Sequence, residues 1–110
     1  MEVKSKAITF IGFAVRSRKI KCGVNALILT KERIKVLILC STAGEGTTKE
    51  AIKLSQKFSC PLIISKGIKL EDIVYKDNCK LAGIFDINLA KAVLDNLDDN
   101  FLKYFGGDNI

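Results

Sequence analysis

The sequence contains no histidine, which removes the Ser-His and Cys-His nucleophile systems and the commonest general base together. Carboxylate or lysine catalysis would still need groups that face one another. The acids, however, are scattered through helical and turn segments with no spacing that argues for a facing pair. The chain reads as a binding protein and not as an enzyme. It also lacks a Cys-x-x-Cys pair: Cys22, Cys40, Cys60 and Cys79 are never closer than 18 positions, so no zinc knuckle or redox motif arises from local spacing. Two of them lie in apolar, strand-like runs. The four are read as small buried hydrophobes in a reducing compartment, with no metal and no cofactor expected.

Long apolar runs are missing as well. The longest, Val36 to Cys40 and Pro61 to Ile64, fall far short of the ~20 residues needed to cross a bilayer. The opening Met1-Glu2-Val3-Lys4-Ser5-Lys6 leads into a stretch broken by Arg16, Arg18 and Lys19, without the apolar region and small-residue cleavage site of a signal peptide. A cytoplasmic protein with no membrane partner is expected.

What is present suits one compact unit: 110 residues, 48% hydrophobic and 27% charged, enough for a single core and no second one. The net charge of +6 is unevenly placed. Residues 1–35 hold nine Lys/Arg (Lys4, Lys6, Arg16, Arg18, Lys19, Lys21, Lys31, Arg33, Lys35) against Glu2 and Glu32, a net +7, and the remainder nets −1. Basic residues gathered this way are the footprint of a phosphate-backbone binder, because each neutralised phosphate releases condensed counterions. A solvated lysine-rich surface is the plainer alternative.

Apolar residues at Ala7, Ile8, Ile11, Ala14 and Val15 recur at helical spacing between Lys4 and Lys19, which predicts an amphipathic helix. Lys21-Cys22-Gly23 interrupts it, and Asn25 to Arg33 offers a second, shorter helix. Val36-Leu37-Ile38-Leu39-Cys40 has the unbroken apolarity of a strand covered on both faces. After the small-residue loop Ser41 to Gly46, Thr47-Thr48-Lys49-Glu50 fits a capping box in which Thr47 and Glu50 satisfy each other's amides, opening a helix to about Phe58. Pro61 to Ser65 reads as a buried strand with its proline at the start, Lys69 to Val74 as a short helix, and Leu81 to Phe85 as another strand. Asp86 is placed to cap a closing helix over Ile87 to Leu97. Helices alternating with short buried strands predict a three-layer α/β/α sandwich around a sheet of about four strands. The domain is expected over residues 1–97, with 98–110 as a tail outside it.

Two segments carry chemistry. Gly44-Glu45-Gly46-Thr47-Thr48-Lys49 follows a strand and opens a helix, where glycine-rich loops cradle phosphates, but it has neither a P-loop ending nor the three-glycine dinucleotide pattern. Two glycines serving a tight turn explain it more simply. An anion, including an RNA phosphate, at the amides near Thr47 and Thr48 beside Lys49 remains the functional alternative. The second segment, Lys19-Ile20-Lys21-Cys22-Gly23-Val24-Asn25, combines basic residues at a helix end, a glycine that permits close backbone approach, and an amide side chain that can donate and accept hydrogen bonds. That is what a nucleic-acid edge reader needs, although Gly-x-Asn is also ordinary helix capping.

Ile11-Gly12-Phe13-Ala14-Val15-Arg16-Ser17-Arg18-Lys19-Ile20-Lys21-Cys22-Gly23 resembles the opening of the bacterial, YlxQ-type members of the L7Ae/L30e ribosomal protein family. There a Leu-Gly-x-Ala-x-Arg-x-Arg-Lys run leads to a loop glycine. The resemblance continues more loosely through Val36 to Cys40, the threonine-containing loop and helix, Cys60-Pro61, and Leu81 to Leu97. It implies an L30e-like sandwich that binds RNA, specifically the kink-turn, a sharply bent element with tandem sheared G·A pairs found in ribosomal and regulatory RNA. DNA is not an expected partner. Gly23 and Asn25 match the family's Gly-x-Asn-Glu reader. Ala26 stands where relatives have the glutamate, Leu29 near their lysine, and Leu70-Glu71 and Tyr75 where they have a Leu-Gly pair and a second glycine. By this resemblance Arg16, Arg18, Lys19 and Lys21 contact phosphates, Gly23 with Val24 forms the close-approach loop, and Asn25 reads a base edge. The rival expectation is a protein-interaction module of the same fold, which would account for the missing Glu, Lys and Gly positions. An anion-binding, enzymatic pocket at Thr47 ranks third.

Overall fold

A computed structural model describes residues 5–104 of the chain. In chain order it contains α1 (Lys6–Arg16), β1 (Ile20–Cys22), α2 (Val24–Leu29), β2 (Val36–Cys40), α3 (Glu45–Phe58), β3 (Leu62–Ser65), α4 (Leu70–Val74), β4 (Leu81–Ile84), α5 (Ile87–Asp95) and β5 (Phe101–Tyr104). Lys4, where the first helix was expected to begin, and the Gly106-Gly107 end of the tail lie outside the described residues.

The helices start and stop for local reasons. Ser5 caps α1 by accepting the Ile8 amide at 3.2 Å, and α1 closes at Ser17, after which Arg18 takes a left-handed φ of 60°. The α2 helix stops at Leu29, short of the expected Arg33. Thr30 is extended and its hydroxyl accepts the Glu32 amide at 3.1 Å, turning the charged segment away from the helix axis. Asp86 caps α5 as expected, one carboxylate oxygen accepting the amides of Asn88 (2.8 Å) and Leu89 (3.1 Å). The capping box expected at Thr47 and Glu50 does not form. The N-cap residue of α3 is Gly44, three residues earlier; it has no side chain to cap with, and its carbonyl accepts both the Thr48 amide (3.0 Å) and the Thr48 hydroxyl (2.9 Å).

The five strands form one sheet in the order β1-β4-β2-β3-β5, with β2 and β3 parallel and the other pairs antiparallel. The sheet therefore has one strand more than the expected four. Two short edge strands were hidden in the sequence. Ile20–Cys22 was read as a helix end and a break, yet Ile20 lies opposite Ile84 and Cys22 opposite Ala82. Phe101–Tyr104 was assigned to a tail outside the domain, yet it pairs along the whole of β3. The domain accordingly runs past residue 97. Phe101 is buried in the core, and such an aromatic is expelled from water whatever the polarity of its neighbours.

Side chains alternate across the sheet and build two apolar layers. Val36, Ile38, Cys40, Ile63, Ala82 and Ile84 face α1, α4 and α5, meeting Ala7, Ile11, Ala14, Leu70, Ile73, Ala90 and Val93. Leu37, Leu39, Leu62 and Leu81 face α2 and α3, meeting Leu27, Ala51 and Leu54. All five residues of β2 are buried, as its unbroken apolarity requires of the central strand. The molecule is thus the α/β/α sandwich expected from the alternation of helices and buried strands. No helix among the described residues is long and apolar enough to cross a membrane.

Candidate nucleic-acid interface

The strand register sorts the candidate residues onto the sheet's two ends. Gly23 follows β1, and its amide donates to the Leu81 carbonyl at 2.8 Å at the start of β4. Beside it, Cys40 and Ser41 end β2, their amides donating to Lys80 (2.8 Å) and Ser65 (3.0 Å). This end holds the carboxyl termini of β1, β2 and β3 and the N-termini of α2 and α3. Gly23, Val24 and Asn25 therefore lie at the same end as Thr47 and Lys49, with α2 and α3 on one face of the sheet. Open α/β sheets commonly bind ligands beyond the carboxyl ends of their strands.

Arg16, Arg18 and Lys19 lie at the opposite end, where β1 begins. The Lys19 carbonyl accepts the Phe85 amide at 3.0 Å and the Lys35 amide donates to Ile84 at 2.8 Å, so Lys19 and Lys35 flank the last residues of β4. Lys31, Arg33 and Lys57 gather on this same side around a shallow surface depression with Phe58. Much of the +7 excess of residues 1–35 thus collects at the end away from the Gly23 loop. Lys35 was not among the site residues singled out by sequence, because its proximity to Lys19 depends on β1 pairing with β4, some sixty residues away. Arg16 is exposed and its guanidinium stacks 4.9 Å from the Phe13 ring centroid, which fixes it along α1.

Lys21 joins the two ends. It is the middle residue of β1, opposite Gly83, with its ammonium 5.7 Å from the Phe85 ring centroid. Since β1 is an edge strand, Lys19, Lys21, Gly23 and Asn25 follow one another along a border of the sheet, with Lys19 and Asn25 exposed and Lys21 and Gly23 half-buried. At ~3.3 Å per residue the strip from Lys19 to Gly23 measures on the order of 13 Å.

Gly23 has φ 98° and nothing within 4 Å of where a Cβ would stand, a backbone conformation that an L side chain resists and that leaves the loop open to a close neighbour. Gly23 is itself the N-cap residue of α2, and no side chain caps that helix. Asn25 is exposed within the first turn, so its amide is not spent on capping. At α3 the picture differs. The Thr48 amide is already bonded to Gly44, Thr47 is half-buried, and Glu45 places a carboxylate in the first turn. That acid opposes an anion at this terminus.

Glu71, which stands where the L7Ae-like proteins have a glycine, is tied into a local network. Its carboxylate accepts Lys80 Nζ at 3.0 Å and the Asn78 amide at 2.7 Å, and Lys80 Nζ also donates to Thr42 Oγ1 at 3.0 Å. The Lys80 hydrogen bond, followed by that from Asn78, holds the Glu71 carboxyl below its ordinary pKa. The acid is paired with a neighbouring ammonium.

No family model and no curated protein matches the chain. Among solved structures it is similar to a protein with unknown function from Bacillus halodurans C. That likeness has a TM-score of 0.69 at 21% identity, over 84% of this chain and 96% of that one. It establishes a shared fold. The site rests on the residues themselves. No group of three or more His, Cys, Asp or Glu among the described residues is arranged to hold a metal ion.

Proposed function

We propose that this chain is an RNA-binding module that lays structured RNA along the β1 border. Lys19 and Lys21 contact phosphates there, and Asn25 reads a base edge. One observation carries the reading: a half-buried edge strand runs from basic residues directly into a positive-φ glycine and an exposed asparagine in the first turn of a helix that no side chain caps. The strip of ~13 Å matches about four nucleotides at ~3.4 Å per step, so one RNA strand can touch both ends of the sheet without bending the protein. Arg16 and Arg18 extend the phosphate contacts at one end, and Val24 lines the loop at the other. Thr47 and Lys49 lie near enough to meet a second strand, with Glu45 limiting them to a peripheral part. The resemblance of residues 11–23 to the L7Ae-like proteins supports a kink-turn as the preferred target, in ribosomal or other structured RNA of the cytoplasm. This is recognition without catalysis.

The deciding experiment titrates the purified chain into a labelled kink-turn RNA and a plain duplex of equal length at several salt concentrations. The expected result is preference for the kink-turn, with an affinity for both RNAs that falls steeply as salt rises. No binding to either RNA at low salt would overturn the reading. A protein-interaction role is favoured by one specific feature: Leu29, 79% exposed, and Ile28, 43% exposed, project from α2. Nucleic acid that co-purifies and is removed by high salt separates the two.

A further inference from the structure

Cys22 and Cys79 are far apart in sequence, and the sheet brings them together. Cys22 ends β1 opposite Ala82, and Cys79 stands just before β4, after a turn in which Asn78 takes φ 62°. Both converge on one carbonyl. Leu81 O accepts the amide that follows Cys22, from Gly23, at 2.8 Å, and the Cys79 thiol at 3.6 Å. The two side chains belong to the same apolar layer beneath α1, Cys79 buried and Cys22 half-buried at its margin. Cys22 is therefore the more exposed residue of the two and Cys79 the more enclosed.

We propose that Cys22 and Cys79 form a dithiol site that reacts with small hydroperoxides and closes as an intramolecular disulfide, independently of whether the chain binds RNA. In the first step the Cys22 thiolate attacks the peroxide, its sulfur taking one oxygen as the O–O bond breaks. The product is a sulfenic acid, with hydroxide leaving and taking up a proton. In the second step the Cys79 sulfur, giving up its proton, attacks the Cys22 sulfur. The S–S bond forms, the S–OH bond breaks, and water departs. Two thiols and one hydrogen peroxide yield one disulfide and two waters.

The surroundings divide the roles. The neighbouring Cys79 thiol, aided by the charge of Lys76, brings the Cys22 thiol down to about 7 against the pull of burial. Cys79 moves the other way, raised by its contact with Cys22 and by burial. Cys22 is thus the thiolate that attacks, and Cys79 the protonated partner that resolves. Cys60 offers the contrast within the same chain: burial pushes it up to about 11.

The test uses the full, reduced, RNA-free chain. It is titrated with hydrogen peroxide, its remaining thiols are alkylated, and intact mass and peptide maps are recorded. The expected result is loss of two of the four thiols to a single Cys22–Cys79 linkage that dithiothreitol reverses. Cys79→Ala should instead leave a sulfenic acid on Cys22 that dimedone traps, and Cys22→Ser should leave Cys79 a thiol at the same dose. Cys79→Val, which retains the buried volume, replaces the alanine variant if that one melts. The wild-type measurement needs neither. Four free thiols after a dose that oxidises a reference dithiol would overturn the site. So would a linkage between chains, or equal oxidation of Cys22→Ser.

Discussion

Leu27 rests against the bare backbone of Gly83: a Cβ on that glycine would come within 2.7 Å of Leu27 Cδ2 and 2.8 Å of Ile34 Cγ2. The missing side chain lets α2 sit directly on the sheet, and α2 carries Asn25. Gly83→Ala should therefore act twice. It should destabilise the fold by ~1–3 kcal/mol through overpacking, read as a lowered melting temperature. It should also weaken RNA binding by lifting the loop. An unchanged melting temperature would show that α2 does not depend on this contact.

Asn25→Ala should cost on the order of 1–3 kcal/mol of affinity for a kink-turn RNA and almost nothing on an unbent duplex, where phosphate contacts alone operate. Ala26→Glu, which completes the Gly-x-Asn-Glu pattern that Gly23 and Asn25 resemble, should tighten kink-turn binding and weaken binding to duplex. Matched-salt titrations of both variants against both RNAs check this. Equal losses on the two RNAs for Asn25→Ala would remove the base-reading role.

Charge reversal of Lys19 and Lys21 to glutamate should reduce affinity for every RNA and flatten the salt dependence by roughly 0.7–0.9 per lost phosphate contact. Stability should change by less than ~0.5 kcal/mol at Lys19, which is exposed. Lys21 should show a further small loss from its contact with Phe85. A vanished melting transition would make these residues structural and sink their assignment to RNA.

The Glu71–Lys80 pair predicts part of the acid limb of stability. A carboxyl held below its ordinary value of 4.5 in the folded state contributes stability that is present above that value. The contribution is lost as pH falls through the lower, folded-state value. Glu71→Gln should therefore melt earlier than wild type at neutral pH, and the gap should narrow as pH drops below 4.5. Melting curves from neutral to acid pH give the comparison, and a gap that is constant with pH would rule the pair out as its source.

Truncation after residue 97 tests where the domain ends. It removes β5 and Phe101, and loss of a buried phenylalanine alone costs ~3–5 kcal/mol. Phe101→Ala in the full chain should approach that figure in a denaturant titration. A truncated chain that melts as the full one does would restore the earlier boundary.

The elements that sequence made legible were those whose own periodicity decides them. Val36–Cys40 could hardly be anything but a central strand, and Asp86 capped where a lone acid before an apolar period should cap. What stayed hidden depended on partners distant in the chain. Ile20–Cys22 is three residues long, too short for alternation to register, and is a strand only because Ala82 and Ile84 lie beside it. Phe101–Tyr104 follows a run of Asp and Asn that reads as an ending. At Gly44 the chain's own backbone geometry overrode a capping pattern that began three residues later. Within the candidate site, the loop from Gly23 to Asn25 was visible as a motif. Its separation from Arg16 and Arg18 by the length of β1, and the grouping of Lys35 with Lys19, were not.

The strand order also sets a timetable. Strands β2 and β3 are joined by α3 as one crossover unit, so the most apolar segment of the chain finds its partner soon after it is made. Strand β1 is made before either, and its neighbour in the sheet, β4, is among the last parts to emerge. Until then the basic border is an unpaired ribbon, closed only by a long and slow loop. The segment that must wait is rich in lysine and arginine and poor in apolar runs, so it waits hydrated and resists sticking to other nascent chains.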